Sequence, residues 1–161
     1  MNPQLQLESA SGYLFLGMAD ECLEELKDVD FLTCRSERYM VLRLAALVTK
    51  REWLEALIAS RMLKARYPEC ELAYVSGATC LIELGRCLEA VELLLDGPVS
   101  MRHKAMTHLQ IAYCEFQMGN DFAGRYALEE ARMLDPELVA EAEGYIQSEI
   151  PPMENSECIE N

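Results

Sequence analysis

The sequence matches itself at an interval of 34 residues, and this repeat constrains the fold more than any other feature. One column of the repeat holds Gly17, Arg51, Gly85 and Gly119. Two further columns hold mostly small residues: Ala10, Leu44, Ala78 and Ala112 in one, and Cys22, Ala56, Ala90 and Gly124 in the other. Four units follow, over residues 3–36, 37–70, 71–104 and 105–138.

Each unit has the pattern of two amphipathic helices joined by a tight turn. On both sides of the central Gly or polar break, apolar residues recur at the i, i+3, i+4 and i+7 spacing of a helix face. In the third unit Leu72, Val75 and Ile82 share one face before Gly85, and Val91 continues the period after it. A single hairpin cannot bury both of its faces, so the units must stack. The sequence therefore predicts an all-α stack of antiparallel helix hairpins.

This pattern resembles the tetratricopeptide repeat family, whose units have small residues at fixed positions and often end in proline. The last unit is the best match, with Ala112, Gly124, Ala131 and Pro136. The second unit departs from the pattern at Leu44 and Arg51, so its hairpin is expected to be spread. The resemblance implies a right-handed superhelical α-solenoid forming a single domain over residues 1–149.

Proline and glycine predict where the helices end. Gly97-Pro98 should shorten the second helix of the third unit, and Ser100 is then expected to cap a lengthened next helix. Asp135-Pro136 reads as the cap and first residue of a capping helix at about 137–149. The acidic segment 150–161 should be a disordered tail.

Charge excludes several partner classes. A net charge of −14 disfavours nucleic acid and anionic membranes as partners, because binding them requires a basic surface. No apolar run is long enough to span a bilayer, and the N-terminus lacks the features of a secretory signal, so a soluble, cytoplasmic protein of bacterial type is expected. The second unit is an exception to the acidic character of the chain, with seven basic and four acidic residues between positions 37 and 70.

Candidate catalytic and metal-binding residues are few. The seven cysteines form no Cys-x-x-Cys pair and are expected to be reduced thiols, with only Cys158 freely accessible. His103 and His108 are five residues apart and do not share a helix face as a metal pair would. No catalytic residue, metal or cofactor is predicted, so the protein should not be an enzyme. The alternative of another class is a small-ligand binder or enzyme that uses Cys114 and His108.

The resemblance implies a concave groove lined by the first helix of each unit. The residues carried over to this groove are Leu14, Phe15, Val41, Ala45, Val48, Val75, Thr79, Ile82, Met106, Leu109, Tyr113 and Phe116. An apolar groove either binds a peptide or partner protein, or is filled by the protein's own chain or by a second copy in a homodimer. A small chaperone of the kind found in bacterial secretion systems, or a self-associating scaffold, is the alternative function. The sequence does not identify the partner.

Overall fold

The computed structural model describes residues 2–149, with side chains described through residue 142. Within this range the chain forms nine α-helices and no strand. They are α1 (Pro3–Phe15), α2 (Ala19–Lys27), α3 (Glu37–Thr49), α4 (Trp53–Arg66), α5 (Glu71–Glu83), α6 (Cys87–Leu95), α7 (Ala105–Gln117), α8 (Asp121–Leu134) and α9 (Pro136–Glu149). Short 3₁₀ turns, Thr33–Arg35 and Val99–His103, precede α3 and α7. The segment 150–161, with Cys158, lies outside the described residues.

The first column of the repeat marks the turn inside each hairpin. Gly17, Gly85 and Gly119 have φ of 74°, 71° and 78°, and Arg51 has φ of 59°. Each turn is closed by the same two backbone hydrogen bonds. In the third hairpin the Gly85 N–H donates to the Ile82 carbonyl (2.9 Å), and the next N–H donates to the Leu81 carbonyl (2.8 Å). These bonds satisfy the last carbonyls of the helix and require a left-handed residue, which explains the glycines.

The small-residue columns lie where helix backbones approach each other. Cys22, Ala56 and Ala90 have no exposed surface, and they belong to the cores between the helices. Packing is also tight at Gly77 of α5, where an added Cβ would lie 2.4 Å from Ser60 Oγ and 2.8 Å from Leu93 Cδ2. The stack is therefore packed through contacts that tolerate little added volume.

Two of the predicted helix boundaries are confirmed and one is wrong. The helix α6 ends at Leu95, before Gly97-Pro98, and α9 begins at Pro136 with Asp135 Oδ1 accepting from the Leu138 N–H (3.0 Å). Ser100 does not cap a lengthened helix, because it lies in the 3₁₀ turn Val99–His103 and donates to Glu71 Oε1 (2.5 Å). That contact lies within the third unit, and α7 begins after the turn, at Ala105.

Hydropathy gives no membrane-crossing segment in the part of the chain that the structure describes. None of these helices combines the length and the apolar character that a bilayer-spanning helix requires.

Candidate binding site

A cleft of about 490 Å³ opens between α5, α7 and α9. We call this the concave cleft. Residues predicted for the groove line it from α5 and α7: Thr79, Ile82, Met106, Leu109 and Tyr113. Most of the wall is apolar, and Met106 is 45% exposed. The volume lies within the range of ligand and peptide-anchor pockets.

The other residues predicted for the groove lie elsewhere along the first helices. Val41, Ala45 and Val48 on α3 are half-buried. Val75 on α5 is also half-buried, and it packs against the main core. At the far end, Leu14 is half-buried and Phe15, the last residue of α1, is 91% exposed. These positions do not line the concave cleft.

Two predicted groove residues have a structural role that the sequence did not show. Leu109 is only 8% exposed, because α9 packs over it and places Val139 in the same core. Phe116 covers Gly124 of α8, where an added Cβ would lie 2.7 Å from the ring. Phe116 is half-buried, so part of its ring area packs within its own hairpin. Its ring fills the space left by a residue without a side chain.

The helix α9 is more than a solubilising cap. Leu138, Glu141 and Ala142 form one wall of the concave cleft, so the chain itself closes this end of the groove. The repeat pattern does not predict this contact, since most of α9 lies beyond the last repeat unit, which ends at residue 138.

Gln110, at the concave cleft, links α7 to α5 by hydrogen bonds. Its Nε2 donates to Thr79 Oγ1 (2.9 Å) and to the Val75 carbonyl (3.3 Å), which joins α7 to α5. Its Oε1 is buried and has no hydrogen-bond partner among the described residues. An unsatisfied buried acceptor is unfavourable by roughly 1–3 kcal/mol, so the amide stabilises the contact between α5 and α7 only through its Nε2.

The charges at the concave cleft are negative. Glu83 and Glu141 are exposed carboxylates at its wall, and no Lys or Arg is among the residues described as lining it. The whole chain has a net charge of −14, which reinforces the local sign. A positively charged segment would therefore be attracted to the cleft.

Cys114 and His108 do not form a catalytic pair. Burial raises the pKa of the Cys114 thiol to about 12, whereas a nucleophilic cysteine needs a lowered pKa. Cys114 is fully buried in the main core, and His108 Nε2 lies 2.9 Å from the Arg102 carbonyl. The two residues are six apart on α7, so their side chains leave the helix in different directions. This geometry gives the enzymatic alternative no support.

Comparison with solved structures identifies the architecture. A structure titled MamA 41-end, from Desulfovibrio magneticus RS-1, matches with a TM-score of 0.78 and 16% identity, over 91% of this chain and 84% of that one. The fold is that of a tetratricopeptide-like helical repeat. A crystal structure of MamA gives 0.76 at 16% identity, over 89% and 81%. MamA from MSR-1 gives 0.71 at 18% identity, over 84% and 78%.

These similarities confirm the all-α repeat fold predicted from the sequence, and at such identities they show the fold alone. No family model and no curated protein matches the sequence. The function must therefore be argued from the surfaces of this chain.

Proposed function

We propose that the protein is a non-catalytic interaction module whose concave cleft binds an apolar segment of a partner protein, with a basic residue beside the apolar anchor. The observation that carries the proposal is the cleft itself, with apolar walls on three helices and carboxylates at its edge. A fold made of stacked hairpins offers such surfaces without an enclosed catalytic centre.

The walls account for the affinity of the site. Ile82, Met106 and Leu138 present apolar surface to the cleft, and burying one apolar side chain of a peptide is worth about 1.5–3 kcal/mol. Glu83 and Glu141 favour a Lys or Arg near that side chain.

The test is a selection of random peptides displayed on phage, using the wild-type chain as bait. Enriched sequences should combine a large apolar residue with Lys or Arg. Met106→Ser should weaken binding of an enriched peptide about tenfold, because one apolar contact is lost. Met62→Ser is the matched control, since Met62 is 54% exposed on α4 and outside the concave cleft.

Two results would overturn the proposal. One is a selection without enrichment; the other is a peptide that binds Met106→Ser as tightly as the wild type. Analytical ultracentrifugation of the wild type tests whether a second copy of the chain occupies the concave cleft. A dimer that Met106→Ser dissociates would assign the cleft to a second copy of the chain, whereas a monomer supports a separate peptide.

A further inference from the structure

A second cavity, of about 360 Å³, opens between the 3₁₀ turn Thr33–Arg35, α3 and α4. We call it the arginine cleft, because three arginines line it: Arg35, Arg43 and Arg66. Its remaining wall is largely apolar, with Met40 and Met62 on facing helices. None of its lining residues belongs to the concave cleft.

The apolar surface continues out of the arginine cleft along α4. Leu54, Ile58 and Met62 follow at four-residue spacing, and their side chains are 65%, 58% and 54% exposed. Four-residue spacing places them on one face of the helix. A helix face of this kind beside a cavity is typical of an interaction surface and not of scattered surface leucines.

The three arginines have no acidic partner among the residues that the structure describes. In the described part of the chain, none of them forms an ion pair with a carboxylate, whereas Lys50 pairs with both Asp20 (2.8 Å) and Glu52 (2.6 Å). The Arg35 guanidinium lies 5.5 Å from the Phe31 ring centroid, and Arg66 Nε donates to the Arg35 carbonyl (2.9 Å). Acidic residues outnumber basic ones 28 to 14, so this cluster is not explained by a shortage of carboxylates.

Arg43 is the most informative of the three. It is half-buried on α3, and its repeat column otherwise holds Ser9, Gly77 and Ile111. Arg43 and Tyr39 both line the cavity, where burial raises the pKa of Tyr39 and the nearby Arg43 acts in the opposite sense. A partly desolvated cation without a counter-ion is stabilised when an anion binds to it.

We propose that the arginine cleft is a second docking site, which binds an acidic and apolar segment of a partner protein. An apolar side chain of the segment packs between Met40 and Met62, and its carboxylates bind Arg43 and Arg35. A polyphosphate chain is disfavoured, because the cavity walls are apolar and the chain around them has a net charge of −14. The site extends the proposed function, since it selects the opposite charge to the concave cleft.

The probe is a short fluorescein-labelled peptide of leucine, alanine and glutamate, with the leucines at helical spacing. The control peptide has glutamine in place of glutamate. Fluorescence anisotropy should show binding of the first peptide only, and the affinity should fall as salt is added. Arg43→Gln should weaken binding about tenfold, because a charge-assisted hydrogen bond is lost. Arg43→Lys should restore part of it.

Matched variants distinguish binding at the arginine cleft from a non-specific effect of removing one positive charge. Arg61→Gln removes the same charge from α4 but lies outside the arginine cleft, beside Glu89, and should leave the affinity nearly unchanged. Met62→Ser should weaken binding of the acidic peptide, and Met106→Ser should not. The reverse pattern is expected for the concave cleft, so either site can fail without the other.

Three results would overturn the proposal. These are equal binding of the glutamine peptide, equal loss in Arg43→Gln and Arg61→Gln, and equal competition by a single-stranded DNA oligonucleotide. Circular dichroism and the thermal midpoint check that Arg43→Gln is folded. If it is not, Arg35→Gln replaces it, because Arg66 Nε and the Tyr67 hydroxyl donate to the Arg35 backbone carbonyl, which the substitution keeps.

Discussion

Replacing Arg51 by glycine should stabilise the protein. Arg51 is the one described non-glycine residue with positive φ, at 59°, and it holds the turn position that glycine occupies in the other three hairpins. Its N–H donates to the Val48 carbonyl (2.9 Å), and this backbone bond is kept by any residue that can donate. Its side chain is exposed and forms no ion pair with the described residues, so its removal breaks no ion pair there.

The size of the effect follows from two opposing terms. A residue with a side chain in the left-handed region costs about 1–2 kcal/mol. Glycine offsets part of this gain, because its unfolded state has more conformational entropy, by about 0.4–1 kcal/mol. We expect Arg51→Gly to raise the free energy of unfolding by about 0.5–1 kcal/mol. That corresponds to a rise of roughly 1–4 °C in Tm for a chain of this size.

The reciprocal variant is Gly85→Ala. A Cβ on Gly85 would have no neighbour within 4 Å, so the substitution tests backbone strain without a steric clash. It should lower the free energy of unfolding by about 1 kcal/mol. Urea denaturation followed by far-UV circular dichroism measures both variants. A lower midpoint for Arg51→Gly, or an unchanged midpoint for Gly85→Ala, would refute the role assigned to this turn position.

Two further predictions concern the core. Ala90 is fully buried in the main core, so Ala90→Leu should overpack it and lower the free energy of unfolding by about 1–3 kcal/mol in the same assay. Burial raises the thiol pKa values of Cys80 to about 11 and of Cys114 to about 12 from 9.0. Because these thiols stay neutral when folded and ionise first when unfolded, stability should fall from about pH 9 upwards, by about 1 kcal/mol per thiol per pH unit, until the folded thiol ionises. The Cys80→Ala and Cys114→Ala double variant should lose this part of the pH dependence, and an unchanged slope would contradict it.

The repeat, the turns and the helix ends could be predicted from the sequence because they depend on local backbone requirements. Glycine at three of four positions spaced 34 residues apart indicates a left-handed turn, and Gly97-Pro98 ends a helix whatever packs against it. The apolar spacing and the columns of small residues likewise predict stacked hairpins without any knowledge of which units meet. These features were sufficient to predict the all-α repeat fold from the sequence.

The binding surfaces depended on contacts between units, which a repeat pattern does not specify. The concave cleft exists in its present form because α9 covers Leu109 and adds Leu138 to the wall, and α9 lies outside the repeat register. Phe116 has a groove position by number, but the missing side chain of Gly124 draws its ring into the hairpin. The sequence showed that residues 37–70 are basic, and only the tertiary structure placed Arg35, Arg43 and Arg66 around one cavity. Net charge is a property of composition, whereas a cavity depends on which side chains meet, and that is decided when the helices pack.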